Sequence, residues 1–316
     1  MIVLLGVTGY IGGQFARTLQ ERGIRFVAPL RSETDYGQFT VLREFLEKTR
    51  PEFLINAAGY TGKPNVDACE INRADTLQGN ALFPAAAAQA CASLDIPYGH
   101  VSSGCIYNGA RIVDGGRSRI EKDLTQPDVQ ALLENHRGAF QGFSEADEPN
   151  FTFRQPPCSF YSGSKALGEE ALRGVGQGYI WRLRIPFDCF DNPRNYLSKL
   201  RNYAKVYQNT NSLSHRADFV AACLDLWRKK APYGTYNVTN PGFVTTRQVV
   251  EMMQKILRPS RAFEFWSDDG EFYRMAAKTP RSNCILDVTK LLAAGVALRP
   301  VEEALADSLE NWVNLS

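Results

Sequence analysis

Two short stretches of the chain carry hydroxyl, thiol, phenol and amine groups at spacings that suit proton transfer. VSSGCIYNG, residues 101–109, contains Ser103 and Cys105, and FYSGSK places Tyr161 four residues before Lys165. On a helix, residues four apart lie on one face, one turn from each other. A phenol titrates near pH ~10, and a neighbouring ammonium brings its pKa closer to neutral. The pattern predicts a Tyr–Lys acid–base pair, with the Ser103 hydroxyl as a second donor to a carbonyl oxygen.

Cys105 follows Ser103 at a distance of two and has two readings. Free cysteine is among the most buried residue types and usually only packs. A thiol beside a proton-handling serine could instead serve as a second acid, because it titrates near pH ~8.5, far below a hydroxyl. The residue types alone leave both readings open. The other cysteines and the three histidines show no triad or metal-ligand spacing, so we read those cysteines as packing residues and assign the histidines nothing.

Short apolar runs alternate with helical patterns along most of the chain, and these elements must position the acid–base groups. Strand, helix, strand, repeated, predicts a parallel sheet covered by helices on both faces. The predicted strands are Ile2–Leu5, Arg25–Pro29, Phe53–Asn56, Pro97–Ser102, Tyr179–Arg184 and Thr235–Val238. The predicted helices are Tyr10–Arg22, Tyr36–Lys48, Glu70–Ser93, Tyr161–Val175, Ala217–Lys229, Thr245–Ile256 and Glu302–Trp312.

A glycine turn, GVTGYIG, follows the first strand and opens the first helix. Gly6, Gly9 and Gly12 would let the backbone approach a pyrophosphate, and the helix N-terminus attracts the anion. In this strand–turn–helix context the motif is a dinucleotide-binding signal. The second strand ends at Arg31 and Ser32. A cation there suits the 2′-phosphate of NADP, whereas an NAD site requires a carboxylate, so we predict that NADPH is favoured over NADH.

The predicted fold class is α/β, a Rossmann-type doubly wound parallel sheet with a smaller C-terminal substrate lobe. We expect residues 1–185, completed by 213–239, to form an NADP-binding Rossmann domain. Residues 186–212 and 240–316 would form the substrate-binding lobe. Residues 108–157 lack a clean period and are rich in charge, Gly and Pro. A connection this long in a compact enzyme is usually functional or mobile, so we predict an insertion there.

Length and composition exclude several classes of protein. The chain has 316 residues, 44% hydrophobic and 22% charged, which is a typical globular balance. The net charge of +2 is scattered, so we expect neither nucleic acid nor a membrane as a partner. The N-terminal apolar run passes at once into the glycine turn, unlike a signal peptide. The seven cysteines, an odd number without paired spacing, predict reduced thiols and a cytoplasmic location.

GVTGYIG, INAAG, VSSGCIY and YSGSK together resemble the extended short-chain dehydrogenase/reductase superfamily, in its nucleotide-sugar branch. Further runs narrow the resemblance to the plant-type bifunctional nucleotide-4-keto-6-deoxyglucose 3,5-epimerase/4-reductases, which make nucleotide-L-rhamnose. The resemblance to dTDP-4-dehydrorhamnose reductase is more distant. The most specific runs are TGKPNVD and NPRNYLSK. The resemblance implies a nucleotide-linked 4-keto-6-deoxyhexose as the substrate, NADPH as the reductant, and a possible homodimer.

The resemblance also implies roles for individual residues. Ser103, Tyr161 and Lys165 would form the reductase triad, and Cys105 and Lys199 match the acid–base pair that the bifunctional enzymes use in epimerisation. The implied cofactor contacts are Gly6, Thr8, Gly9, Tyr10, Ile11, Gly12, Arg31, Ser32, Asp35, Tyr36, Asn56, Ala57, Ala58, Tyr161, Lys165 and Pro186. The implied substrate contacts are Lys63, Asn65, Arg194, Asn195 and Arg281, and no metal is implied.

The chemistry of epimerisation explains why a second acid would be useful. In a 4-keto sugar, C3 and C5 flank the carbonyl, and loss of either hydrogen gives an enolate with its charge on the C4 oxygen. Ser103 and Tyr161 would stabilise that oxygen. Inversion needs a proton delivered to the opposite face of the ring, which Cys105 and Lys199 could supply between them. Hydride transfer to C4, with a proton from Tyr161, would complete the reaction.

Three functions stay open at this point. The chain could be a bifunctional epimerase/reductase, or a reductase only or an epimerase only with Cys105 structural. It could also be a non-catalytic NADP-binding regulatory subunit, although the intact Ser103, Tyr161 and Lys165 argue against this. The plant-type threonine before Gly-Cys is Ser103 here, which keeps the hydroxyl. Residues 108–144 exceed the plant-type loop, so the nucleotide base and the sugar stereochemistry stay open.

Overall fold

A six-stranded parallel sheet forms the centre of the computed structural model, which describes residues 1–314. The strands are β1 (Ile2–Leu5), β2 (Phe26–Val27), β3 (Phe53–Asn56), β4 (Tyr98–Ser103), β5 (Ala110–Asp114), β6 (Arg117–Glu121), β7 (Gly178–Leu183), β8 (Pro186–Phe187), β9 (Lys205–Val206), β10 (Thr210–Asn211), β11 (Ser214–His215), β12 (Gly234–Asn237), β13 (Val244–Thr245) and β14 (Glu264–Phe265). The α-helices are α1 (Tyr10–Glu21), α2 (Phe39–Thr49), α3 (Ala68–Ile71), α4 (Arg73–Leu77), α5 (Phe83–Ala92), α6 (Pro127–Asn135), α7 (Phe160–Leu172), α8 (Tyr196–Asn202), α9 (Arg216–Arg228), α10 (Thr246–Leu257), α11 (Asp269–Met275), α12 (Thr289–Ala293) and α13 (Val301–Glu310). Within residues 1–314, none of these helices has the length and apolarity that a membrane crossing requires.

The strand order in the central sheet is β12-β7-β4-β3-β1-β2, and every neighbouring pair is parallel. Parallel neighbours need crossover connections, and here helices make most of them. The chain goes from β1 out to β2 and then returns past β1 to β3. A crevice therefore opens at the carboxyl ends of β1 and β3, which is where doubly wound folds bind ligands. The six predicted strands and the Rossmann-type sheet are confirmed, although the second strand is shorter than predicted.

The central sheet is buried on both faces, as alternate residues of β1 show. Ile2 and Leu4 belong to one apolar cluster, which α1 and α9 cover. Val3 and Leu5 belong to the cluster on the other face, which α2 and α5 cover. Because both faces need apolar side chains, the strand reads as a continuous apolar run in the sequence.

A separate apolar cluster lies in the C-terminal part of the chain. It joins Phe187 of β8, Leu197 of α8, Val249 of α10 and Leu305 of α13. These residues fall in the region that we assigned to the substrate lobe. The division of the chain into domains stays a prediction.

The prediction of one continuous helix over Glu70–Ser93 is wrong. The structure has α3, α4, a wide π-helical turn at Gln78–Leu82, and α5 in this interval. Asn72 interrupts the helix because its backbone (φ −93°, ψ 57°) is not helical. Pro84, in the first turn of α5, has no N–H with which to continue the hydrogen-bond ladder. The alanine-rich face predicted here packs against the sheet nonetheless.

Residues 108–157 contain strands and a helix. The sequence analysis did not predict these elements, because apolar residues in this interval do not recur with a strand or helix period. β5 and β6 form a hairpin whose two-residue loop is Gly115-Gly116. Both glycines have positive φ (54° and 75°), as a tight hairpin turn requires. α6 follows, and its apolar side packs with the hairpin and with Phe243. The Gly-Gly pair was the signal in the sequence that could have indicated this folded insertion.

Candidate active site at the carboxyl edge of the sheet

The end of β4 carries the first group of predicted acid–base residues. Ser103 is the last residue of β4, and in the parallel ladder it lies opposite Leu183, the last residue of β7. The Ser103 hydroxyl accepts a hydrogen bond from the Cys105 N–H at 3.2 Å and so caps the short 3₁₀ turn Gly104–Ile106. The turn holds the thiol just beyond the sheet edge.

The beginning of α7 brings Tyr161 and Lys165 to the same place. The Ser159 hydroxyl caps α7 by accepting the Ser162 N–H at 3.1 Å, so the helix begins just before Tyr161. The Lys165 ammonium is buried and donates to the Val101 carbonyl at 3.4 Å. Burial lowers the pKa of Lys165. The predicted arrangement of Tyr161 and Lys165 one turn apart on a helix is present.

Tyr161 packs against an apolar cluster that includes Cys105 and Cys284. Burial raises the pKa of the Tyr161 phenol, and the neighbouring thiols act in the same direction. A hydrogen bond with Ser103 and the charge of Arg184 lower this pKa. The sequence analysis predicted that the ammonium of Lys165 lowers the pKa of Tyr161. In the structure the positive charge that lowers it is that of Arg184. The balance keeps the phenol protonated at neutral pH, which is the form that a proton donor needs.

The Cys105 thiol is buried, with 6% of the residue exposed. Burial raises its pKa, and a hydrogen bond with Ser103 lowers it. The charges of Arg184 and Lys165 also lower the pKa of Cys105. The thiol thus packs as a small hydrophobe and also lies beside Tyr161, so the structure is compatible with both readings of this residue.

Lys199, on α8, lies near two arginines. Burial lowers the pKa of Lys199, and the positive charges of Arg194 and Arg281 lower it further. A lowered pKa makes the neutral amine of Lys199 more abundant near neutral pH. The neutral amine is the form that a general base needs in order to accept a proton.

Arg194 and Arg281 both bind the TGKPNVD segment. Arg194 donates to the Thr61 hydroxyl at 2.9 Å and to the Gly62 carbonyl at 3.0 Å. Arg281 forms an ion pair with Asp67 at 2.8 Å. In this structure the two arginines link the segment to the C-terminal part of the chain. Their contact with substrate stays a prediction, and it requires that the guanidinium groups be shared with these partners.

Asn195 uses its side chain for contacts within the protein. Its side chain is fully buried, caps α8 by accepting the Leu197 N–H at 3.0 Å, and donates to Asp188 and to the Phe190 carbonyl. Asparagine is a preferred N-cap, and this requirement explains the residue. The geometry therefore does not support the predicted substrate contact of Asn195. The two other predicted substrate residues, Lys63 and Asn65, are exposed.

The glycine turn lies in close contact with the backbone that follows β3. Gly6 has a φ of 81°, and a Cβ at Gly6 would lie 2.6 Å from the Ala58 nitrogen. The Asn56 side chain fixes this facing segment by accepting the Ala58 N–H at 3.0 Å. Thr8 and Gly9 are exposed at the N-terminus of α1, an end of the helix that favours an anion. The Gly9 N–H is used within the turn, where it donates to the Gly6 carbonyl at 3.0 Å. The turn fits a dinucleotide pyrophosphate. Other predicted cofactor residues lie in the first turn of α1, at the end of β3 and at the beginning of β8: Tyr10, Ile11, Gly12, Ala57 and Pro186.

A cleft of about 440 Å³ lies beside the glycine turn. Within the described part of the chain, its lining contains no carboxylate and four cations, Arg17, Lys63, Arg194 and Arg216. Such a lining suits an anionic group such as a pyrophosphate. The sequence analysis missed Arg17 and Arg216. Arg17 lies one helical turn after Gly13 and could have been found from helical spacing, whereas only the tertiary structure brings Arg216 to the cleft.

An exposed cation lies in the turn that follows β2, beyond the end of the strand at Val27. The Arg31 side chain is 65% exposed and forms a 3.5 Å ion pair with Asp35. Exposed pairs of this kind are weak, so Arg31 remains able to bind a phosphate. Ser32 is exposed beside it. Tyr36 is buried against Phe83 instead of opening the second helix, and α2 begins after it.

A buried ion pair holds together the three elements that carry the site. Glu169 of α7 accepts hydrogen bonds from Arg182 of β7 at 2.6 to 3.1 Å. It also accepts one from the Ser102 hydroxyl of β4 at 2.5 Å. Ser102 precedes Ser103, and Glu169 lies one turn after Lys165, so this network fixes the triad's position on both sides. Removing one partner of such a pair is strongly destabilising because the other charge stays buried.

The Rossmann-type sheet and the Ser–Tyr–Lys group at its carboxyl edge define an oxidoreductase of the short-chain dehydrogenase/reductase class. A family model described as "RmlD substrate binding domain" matches residues 1–314, and the chain belongs to this family. The chain is 29% identical to a bifunctional dTDP-4-dehydrorhamnose 3,5-epimerase/dTDP-4-dehydrorhamnose reductase of Arabidopsis thaliana, over 96% of this chain and 90% of the relative. It is also 29% identical to a trifunctional UDP-glucose 4,6-dehydratase/UDP-4-keto-6-deoxy-D-glucose 3,5-epimerase/UDP-4-keto-L-rhamnose-reductase of the same plant, of which it spans only 39%.

Solved structures share the fold over almost the whole chain. The L780 UDP-rhamnose synthase of Acanthamoeba polyphaga mimivirus has a TM-score of 0.81 and 20% identity, with 98% of each chain covered. A dTDP-4-dehydrorhamnose reductase of Bacillus anthracis, solved in complex with NADP, has a TM-score of 0.75 and 18% identity, with 98% of this chain and 97% of that chain covered. At these identities the likeness establishes the fold.

Proposed function

We propose that the protein is a bifunctional 3,5-epimerase/4-reductase that acts on a nucleotide-linked 4-keto-6-deoxyhexose and gives a nucleotide-L-rhamnose-type sugar. The observation that carries the proposal is the packing of Cys105 against Tyr161, beside Ser103, at the carboxyl edge of the sheet. A reductase needs the hydroxyl and the phenol, but it does not need a thiol at this place. The family and the Arabidopsis bifunctional relative support the same reaction.

Epimerisation requires proton exchange at the carbons on either side of the carbonyl. Lys199, whose pKa burial and two arginines lower, is suited to take a proton from one face of the ring. The C–H electron pair then moves into the ring, and the charge on the C4 oxygen is stabilised by hydrogen bonds from Ser103 and Tyr161. Cys105 gives its proton to the ring carbon from the other face. The thiolate that remains recovers a proton from Lys199 or from solvent.

Reduction uses the same two donors at the C4 oxygen. The glycine turn would hold NADPH, and the chemistry that the bound cofactor would supply is a hydride for C4. Tyr161 gives its phenolic proton to the C4 oxygen, so the carbonyl becomes a hydroxyl. The phenolate that remains is stabilised by the charge of Arg184, which lowers the pKa of Tyr161. Lys165, one turn further on α7, completes the proposed triad. The Ser103 hydroxyl orients the C4 oxygen of the sugar during both epimerisation and reduction.

The proposed function is tested with a panel of nucleotide 4-keto-6-deoxyhexoses and NADPH, with the products analysed by NMR in D₂O. We expect deuterium at C3 and C5 and reduction at C4. Reduction without deuterium at C3 and C5 would make the protein a 4-reductase only, with Cys105 as a packing residue. Deuterium without reduction would make it an epimerase, and neither reaction would leave a non-catalytic chain.

The preference for NADPH is supported by the exposed Arg31 and Ser32 in the turn that follows β2, and by the NADP complex of the structurally similar Bacillus anthracis reductase. We predict that Arg31→Ala weakens NADPH binding and leaves NADH binding nearly unchanged, because only NADPH carries the 2′-phosphate. Loss of one charge-assisted contact corresponds to roughly a tenfold change in Kd. Titration of both cofactors into both proteins, followed by fluorescence, measures the effect.

Arg17→Ala provides a matched control for this prediction. Arg17 lines the cleft beside the glycine turn, where both cofactors carry the same pyrophosphate. Its loss should therefore weaken NADPH and NADH alike. Tighter binding of NADH than NADPH by the unaltered protein would contradict the assignment.

A further inference from the structure

Two buried arginines lie at the end of β7, and within residues 1–314 only one of them has a carboxylate partner. Arg182 is paired with Glu169. Arg184 is 5% exposed, yet within residues 1–314 its guanidinium has only neutral hydrogen-bond partners, the Asn211 side-chain oxygen at 2.5 Å and the Ser282 carbonyl. A buried charge without a counter-ion is costly, so its retention calls for a functional reason.

Arg184 leaves the central sheet beside the candidate active site. Because Ser103 lies opposite Leu183 in the parallel ladder, the residues that follow each of them emerge side by side. After β4 these residues are Gly104 and Cys105, and after β7 the residue is Arg184.

A chain of hydrogen bonds joins Arg184 to the turn that carries the thiol. The Asn211 oxygen that binds the guanidinium also accepts the Cys284 N–H at 2.9 Å. The Cys284 thiol in turn donates to the Gly104 carbonyl at 3.2 Å. The guanidinium is therefore held in place relative to Cys105.

The backbone next to Arg184 is strained. Ile185 has a φ of 38°, in the left-handed region that a β-branched residue rarely adopts. Strained residues are concentrated at functional sites, where the surrounding structure holds them. Here the strain lies at the bend between β7 and β8, directly after the uncompensated charge.

We propose that Arg184 is a positioning residue whose uncompensated charge favours the anionic forms of Cys105 and Tyr161. The role in catalysis rests on the proposed function, in which both side chains release a proton. When Cys105 protonates a ring carbon, its S–H bond breaks and a C–H bond forms, and the thiolate remains near the guanidinium. When Tyr161 protonates the C4 oxygen, the phenolate is stabilised in the same way.

The electrostatics around Cys105 agree with this arrangement. Burial raises the pKa of Cys105, and among the cations that lower it Arg184 has a larger effect than Lys165. The other titratable groups around the thiol are Tyr161 of α7, Cys69 of α3, Cys158 before α7, and Cys284.

The experiment measures the alkylation rate of Cys105 by iodoacetamide in the cofactor-free protein, with peptide mass spectrometry as the readout. Only the thiolate reacts, so the rate at a fixed pH reports how strongly the surroundings favour it. In Arg184→Gln, which keeps a hydrogen-bond donor and loses the charge, we expect about a tenfold slower reaction at Cys105. Arg184→Lys keeps the charge and should restore most of the rate. Cys189, which is partly exposed and is not among the groups around the Cys105 thiol, is the control within the same molecule, and its rate should not change.

Asn211→Asp is a second variant that leaves Arg184 in place. It puts a carboxylate against the guanidinium and should slow Cys105 as Arg184→Gln does. An unchanged Cys105 rate in either of these variants, or an equally slow rate in Arg184→Lys, would overturn the proposal. Because alkylation needs no turnover, its result is separate from the NMR test of the proposed function. A wild-type protein that fails to exchange C3 and C5 protons would remove epimerisation and leave the thiol result intact.

Discussion

Replacement of Tyr161 by Phe is expected to lower the rate of C4 reduction by roughly a hundredfold to ten-thousandfold, the usual contribution of a general acid. The phenol is the group that gives its proton to the C4 oxygen, and burial keeps it protonated until that step. The ring itself is retained, so its packing against Cys105 and Cys284 should survive. The measurement is single-turnover oxidation of NADPH with an already epimerised substrate, together with NADPH affinity, which we expect to change little.

Tyr98→Phe is the matched control for the loss of a buried phenol. Tyr98 begins β4, at the end of the strand away from Ser103, and its hydroxyl donates to the Val175 carbonyl at 3.0 Å. This variant should lose one internal hydrogen bond and keep turnover. Wild-type turnover in Tyr161→Phe would show that another group protonates the C4 oxygen and that the triad assignment is wrong.

Replacement of Cys105 by Ser is expected to separate the two proposed activities. Serine is similar in size but is a far weaker acid than a thiol, so proton delivery to the ring carbon should slow by roughly a hundredfold or more. The variant should still reduce a substrate that is supplied already epimerised, because hydride transfer uses Ser103 and Tyr161. Deuterium incorporation at C3 and C5, measured by NMR in D₂O, should be lost.

Two further variants define what the Cys105 result means. Lys199→Ala should also lose deuterium exchange, although not necessarily at the same carbon, because it acts on the opposite face of the ring. Cys91→Ser, in the apolar cluster under α5 and away from the site, should exchange both positions at the wild-type rate. If Cys105→Ser does so as well, Cys105 only packs, and the protein is a 4-reductase.

Local pattern was enough to predict the elements that build the central sheet. β1 and β3 read as continuous apolar runs because both faces of the sheet are buried, so their bounds were predicted without error. The glycine turn could also be predicted from the sequence, because a residue with the φ of Gly6 and this close to Ala58 has to be glycine. The interruption of the helix between Glu70 and Ser93 could not be predicted in the same way. An alanine-rich composition favours a helix whether or not Asn72 and Pro84 interrupt it.

The sequence by itself thus determined the parallel sheet and the glycine turn, because strand and helix periods and short spacings are local properties. It also proposed Ser103, Cys105, Tyr161 and Lys165 as the site, which stays a prediction. Only the tertiary structure decided which charges act on them. Arg184 lies far from Cys105 along the chain and reaches it only through the parallel register of β4 and β7. Asn195 had the same polar character as a ligand contact, and the fold uses it as a buried helix cap. Charge and hydrogen bonding act through space, so their partners are set by the packing of distant segments, which no local spacing records.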